Sequence, residues 1–166
     1  MHTAVYPGTF DPVTYGHMHI AERASRLFGK VIIAVAADNY KKNLFTLEER
    51  LFLMRESTKH LKNVEVESFS GLVADYAKEK KAQALIRGLR AVSDFEYEMQ
   101  IAAMNKHLNN NLETLFLMTQ AEYSFLSSSS IKDVAMLGGD IEKLVPPIVV
   151  EKLKEKFQSL NKGVEL

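Results

Sequence analysis

One imidazole, four cationic side chains and a run of four serines are the groups of this sequence best suited to chemistry on phosphates. The stretch Tyr6-Pro7-Gly8-Thr9-Phe10-Asp11-Pro12-Val13-Thr14-Tyr15-Gly16-His17 ends with His17 in the first turn of a predicted helix. Unpaired N–H groups and the helix dipole favour a phosphate there. A histidine at that end can donate a hydrogen bond to charge developing on a phosphoryl group. Gly8 lets backbone approach a ligand closely. A Gly-His pair alone is more often a capped helix start carrying a surface imidazole. His17 and His19, two residues apart on a helix, point in different directions and form no metal pair. His2, His60 and His107 are isolated.

Arg87-Gly88-Leu89-Arg90 follows the apolar run Ala84-Leu85-Ile86, and Lys41-Lys42 follows another. Arginine forks match phosphate oxygens, although cations at strand ends are often simply solvated. Ser127 to Ser130 precede an apolar helix, where hydroxyls either cap the helix or cradle a phosphate. The Walker pattern, the G-x-G-x-x-G fingerprint and the nucleophile elbow are all missing. Asp11 and Glu98 are not spaced as a glycosidase carboxylate pair. What remains suits phosphoryl or nucleotidyl transfer by positioning and charge relief, without a protein nucleophile.

These groups need elements to hold them. Apolar runs at Thr3–Tyr6, Val31–Ala37, Val64–Phe69, Ala84–Ile86 and Leu115–Met118 read as strands. Helical spacing occupies Gly16–Phe28, Thr46 to about His60, Leu72–Lys80, Ser93 to about Leu108, and segments from about Ser128 and from Pro147. Thr46-Leu47-Glu48-Glu49 and Ser93-Asp94-Phe95-Glu96 read as capping boxes. Repeated strand–helix alternation predicts an α/β, doubly wound, Rossmann-like sheet of five parallel strands with helices on both faces. Ligands bind beyond the carboxyl ends of such strands, where the order reverses, and the candidate residues fall there.

With 166 residues, the chain reads as a single domain over 1–166, with a peripheral tail from about 158. Lys plus Arg equal Asp plus Glu at 21 each, which argues against a nucleic-acid binder. The absence of cysteine excludes disulfides, thiol catalysis and iron–sulfur clusters. No run is long and apolar enough for a membrane span, and no signal peptide is read, so a cytoplasmic location is expected.

Thr14-Tyr15-Gly16-His17 matches the [HT]-x-G-H signature of the nucleotidyltransferase superfamily. Several further blocks narrow the likeness. They are Tyr6 to Pro12, Lys41-Lys42 followed by Phe45 to Arg50, Ile86 to Arg90, Asp94 to Gln100, and Tyr123 to Ser129. From about residue 4 to about 158 the chain resembles the bacterial phosphopantetheine adenylyltransferases. Val73, Thr119 and Tyr123 differ from residues of some relatives.

The resemblance implies adenylyl transfer from ATP to 4′-phosphopantetheine, giving dephospho-coenzyme A and pyrophosphate, the penultimate step of coenzyme A synthesis. It implies Mg²⁺ carried mainly by the ATP phosphates, with no protein metal site. His17, Lys41 and Arg90 would be catalytic. Thr9, Lys41, Val73 and Arg87 would hold phosphopantetheine. Thr9, Phe10, His17, Gly88, Leu89, Arg90 and Glu98 would bind ATP, as would Tyr123, Ser124, Phe125, Leu126, Ser127, Ser128 and Ser129. It also implies a homohexamer and feedback inhibition by coenzyme A. Phe125-Leu126-Ser127-Ser128-Ser129 differs from the Ile-Ser-Thr-Thr or Ile-Ser-Ser-Thr typical of cytidylyltransferases and nicotinamide mononucleotide adenylyltransferases. A non-catalytic nucleotide-binding regulator would not require His17 and Arg90. A flavodoxin-like carrier would not suit the basic loop residues.

Overall fold

The computed structural model describes residues 2–38 and 42–162. Five apolar segments form strands β1 (Thr3–Gly8), β2 (Lys30–Ala36), β3 (Val64–Phe69), β4 (Ala84–Leu89) and β5 (Glu113–Met118). All pair in parallel, in the order β3-β2-β1-β4-β5. The helices are α1 (Tyr15–Leu27), α2 (Leu47–Thr58), α3 (Val73–Glu79), α4 (Val92–Leu108), α5 (Ser128–Met136) and α6 (Pro147–Lys162). A 3-10 turn at Ala121–Tyr123 lies outside the elements the sequence predicts. The expected doubly wound α/β fold is present.

Strand alternation sends side chains to two core layers. Ala4, Tyr6, Val31, Ile33, Val35, Ala84 and Ile86 pack with residues of α1, α2, α5 and α6. Val5, Ile32, Ala34 and Leu85 pack with Ala74, Tyr76 and Ala77 of α3. Helix α2 starts as its sequence predicts. The Thr46 hydroxyl accepts from Glu49 N, and the Glu49 carboxylate accepts from Thr46 N at 2.8 Å.

Two boundaries differ from expectation. β4 runs three residues beyond Ile86, because pairing with β5 continues to Leu89 opposite Met118. Arg87, Gly88 and Leu89 are therefore strand residues, and Arg90 is the first residue past the strand. α4 then begins at Val92 behind Ala91, with no side-chain cap from Ala91, so the helix starts before the expected position at Ser93, whose side chain lies outside the described residues. No described helix is long and apolar enough to cross a membrane.

Candidate active site

The chain winds β1 to β3 toward one edge and β4 to β5 toward the other, so the order reverses between β1 and β4. A cavity of about 400 Å³ opens at their carboxyl ends. Gly8 and Thr9 close β1, Arg87 and Gly88 come from β4, and Arg90 follows it. His17 enters from the first turn of α1, Tyr123 from the 3-10 turn, and Leu126, Ser127 and Ser128 from the start of α5.

Phe10 organises the first wall. Its backbone is left-handed, with φ 51°, a conformation uncommon for a residue with a Cβ. Its ring lies edge-on to Tyr6 at 5.3 Å and to His17 at 5.1 Å between centroids. Gly8 makes room for it: a Cβ there would lie 2.8 Å from Phe10 Cζ.

His17 holds the third helical position of α1, where a glutamate or glutamine would complete an ordinary capping box. Its N–H donates to Thr14 Oγ1 at 3.3 Å, and the Thr14 backbone N–H donates to Nδ1 at 3.1 Å. Burial, helped by the positive charge of Arg90, pushes the imidazole down to about 4. The ring is neutral at pH 7. Because Nδ1 accepts, the proton sits on Nε2.

Arg87 shares the strand face of Leu85 and points toward α4. Its Nε and Nη2 donate to the two carboxylate oxygens of Glu98, each at 2.6 Å, and Nη1 donates to Pro7 O at 3.3 Å. Burial alone would lower the guanidinium, but the hydrogen bonds and charge of Glu98 outweigh it and raise it. Arg90 Nε donates to Asp94 Oδ2 at 3.2 Å, and Nη1 to Leu126 O at 3.3 Å. At α5, Ser127 and Ser130 form a capping box, and Ser128 Oγ donates to Pro12 O at 2.8 Å.

Behind the walls lie two buried charged residues to which the sequence reading gave no role. Asp11 accepts from Leu44 N and Phe45 N, each at 2.9 Å, and from Lys132 Nζ of α5 at 2.8 Å. Arg50 Nη1 donates to Thr9 O at 2.9 Å and Ala36 O at 2.8 Å. Asp11 stands between Phe10 and Pro12, a charge among apolar neighbours, whereas Arg50 follows two glutamates and carries no such signal. Together the walls present a neutral donor, two guanidinium groups and a helix N-terminus, a set chemically able to align and neutralise phosphates without a covalent step.

Residues 5–134 match the model of the cytidylyltransferase-like family. A phosphopantetheine adenylyltransferase of Carboxydothermus hydrogenoformans is 57% identical, covering 95% of this chain and 98% of that protein. One of Syntrophomonas wolfei is 53% identical, covering 98% and 100%. The chain belongs to the phosphopantetheine adenylyltransferase family. A Plasmodium falciparum nicotinic acid mononucleotide adenylyltransferase complexed with NaAD shares the fold, with TM-score 0.71 and 14% identity, over 93% of this chain and 95% of that one.

Of the residues that resemblance to phosphopantetheine adenylyltransferases singled out, Thr9, Phe10, His17, Arg87, Gly88 and Arg90 line the cavity, as do Tyr123, Leu126, Ser127 and Ser128. Val73 opens α3 and packs on the opposite core layer. Leu89 is buried in β4, while Phe125 and Ser129 are exposed. Ser124 Oγ donates to Ala121 O. Glu98 meets the cavity only through Arg87. Lys41 lies outside the described residues. Ile20 is a lining residue the sequence reading missed. It lies one α-helical turn after Gly16, and a Cβ on Gly88 would meet its Cγ1 at 3.3 Å.

Proposed function

We propose that the chain transfers the adenylyl group of ATP to 4′-phosphopantetheine, forming dephospho-coenzyme A and pyrophosphate. One observation carries this reading. In a chain of this family, neutral His17, Arg87, Arg90 and the start of α5 converge on one cavity at the strand-order reversal.

The acceptor is a phosphate monoester and is already anionic near pH 7, so no general base is required. One of its oxygens attacks the α-phosphorus of ATP in line. The bond from that phosphorus to the bridging oxygen breaks, and its electron pair leaves with pyrophosphate. Nε2–H of His17 donates to a non-bridging α-phosphate oxygen and keeps its proton. Arg87, Thr9 and Lys41 hold the acceptor phosphate, and Val73 borders the pantetheine. Arg90 takes the nucleotide phosphates, with Phe10, Gly88, Leu89, Glu98 and the segment Tyr123 to Ser129 around the nucleotide.

Among the described residues no group of three or more His, Cys, Asp or Glu converges. Mg²⁺ carried on the ATP oxygens belongs to this reading. When bound, it neutralises charge on the departing pyrophosphate.

Coenzyme A carries the same pantetheine arm as the acceptor and belongs to this reading as a competing inhibitor. A cytoplasmic location belongs to it too, where ATP is supplied. A homohexamer belongs to this reading as well, and the exposed Val92, Tyr97, Met99, Met104 and Leu108 of α4 offer apolar surface for contacts between copies. Light scattering should then return about six times 18.8 kDa, and a monomer mass would remove this part.

The reaction is tested with ATP made chiral at the α-phosphorus. Dephospho-coenzyme A formed with inversion supports a single in-line step. Retention, or no such product, contradicts it.

A further inference from the structure

Both guanidinium groups of the cavity are already occupied by carboxylates of one helix. Arg87 is clasped by Glu98, and Arg90 is bonded to Asp94. Asp94 and Glu98 are four residues apart on α4 and therefore share a face. The Glu98 pair is the tighter one, with two bonds of 2.6 Å against one of 3.2 Å. It is also the drier one: the Glu98 side chain is 12% exposed, and that of Asp94 29%.

The geometry of the Arg87 pair has a consequence for any phosphate. The Nε–Nη2 edge is the fork a phosphate would take, and Glu98 fills it. Nη1 donates to Pro7 O. Each terminal nitrogen keeps a further N–H, but a phosphate takes the Nε–Nη2 fork only by displacing Glu98, and an incoming anion meets a neutral pair rather than a free cation.

Within a single copy of the chain, the first half of the helix that carries these carboxylates is lightly held. Over Val92–Gln100, Asp94 and Glu98 are the described side chains turned inward, and the neighbouring ones are exposed. Phe95 touches Phe116 edge-on, with ring centroids 5.7 Å apart. The start of α4 has no side-chain cap. Moving these carboxylates aside disturbs little buried apolar surface.

We propose that Glu98, assisted by Asp94, is an internal counter-anion that holds the arginine edge of the cavity until a substrate phosphate displaces it. This rests on the cavity being a phosphate site, as in the proposed function. Glu98 then sets a threshold. A doubly charged monoester phosphate competes with it, whereas a singly charged diester does so poorly. Glu98 selects for the acceptor's terminal phosphate by resisting it.

Inorganic phosphate, titrated calorimetrically into the full chain without nucleotide, tests this. Glu98→Gln should bind phosphate about tenfold tighter than the native chain, close to 1.4 kcal/mol. Asp94→Asn should gain less. Equal or weaker binding by Glu98→Gln overturns the proposal, because Glu98 would then only position Arg87. A measurement on the native chain covers a variant that folds poorly. On saturation with phosphate, the Glu98 side-chain carboxyl ¹³C resonance should move toward that of a free glutamate. If the Arg87 Nε–H resonance shifts while Glu98 stays put, the proposal also fails. Formation of dephospho-coenzyme A by the native chain is scored separately. If it is absent while Glu98→Gln still tightens phosphate, the activity fails and the counter-anion remains. If it is present without tightening, only the counter-anion fails.

Discussion

The backbone N–H of Thr14 donates to Nδ1 of His17 at 3.1 Å, and this bond settles which imidazole nitrogen carries the proton. With Nδ1 accepting, a neutral ring must be protonated at Nε2. In the proposed mechanism the capping residue of α1 thus prepares the donor that meets charge on phosphorus. Replacing His17 by alanine should lower kcat by roughly 10²–10³-fold, the usual loss of one preorganised donor to a developing charge. The KM for ATP should change only a few-fold. Steady-state kinetics check this, and a rise in KM with unchanged kcat would assign His17 to binding alone.

The same imidazole makes stability depend on pH. Its value is about 4 in the folded chain against 6.5 in the unfolded one. Between these values the unfolded chain binds the extra proton, so stability falls as pH drops through that window and levels off below it. The loss by pH 4 should be about 3 kcal/mol. Urea unfolding of the native chain and His17→Gln between pH 7 and pH 4 measures it. The native chain should lose about 3 kcal/mol more than His17→Gln over that range, and parallel curves would contradict a buried neutral ring.

Gly8 and Phe10 are predicted to be inseparable. A methyl group on Gly8 would sit 2.8 Å from Phe10 Cζ, and the ring that would have to move packs on His17. Gly8→Ala should cost about 1–3 kcal/mol, as overpacking does, and should lower kcat. A companion Phe10→Leu, which clears the clash, should restore part of the stability lost in Gly8→Ala. Additive losses in the double variant would show that the two do not compete for space.

Asp11 is expected to matter through the fold. It satisfies two backbone N–H groups and pairs with Lys132 from α5. Asp11→Ala leaves those groups without a partner and should destabilise by roughly 3–5 kcal/mol, as breaking a buried pair does. Denaturant unfolding measures the change. A loss under 1 kcal/mol would mean that water replaces the carboxylate readily.

Much of this was legible in the residues. The β-branched run from Val31 and the strand–helix alternation specified a parallel sheet, because strands buried on both faces leave no polar alternation. The capping box at Thr46 formed, and the serines at the start of α5 cap that helix, since their partners lie within one turn. α4 starts at Val92 rather than behind Ser93, because long-range pairing of β4 with β5 sets where the strand ends and α4 begins. His17, Arg87, Arg90 and Ser128 were placed at one edge by topology alone. The roles of Asp11 and Arg50 were hidden, because their partners are backbone groups far away in sequence. The bond between Arg87 and Glu98 was partly open to reading. Arg87 falls on the strand face of Leu85, but which helix residue meets it depends on how α4 packs.

The most direct test is the initial rate of pyrophosphate release from ATP and Mg²⁺ with three acceptors offered in parallel: 4′-phosphopantetheine, nicotinamide mononucleotide and glycerol 3-phosphate. Release should occur with 4′-phosphopantetheine and fall by orders of magnitude in His17→Ala. Release with another acceptor instead, or equal release by the His17 variant, would contradict the account.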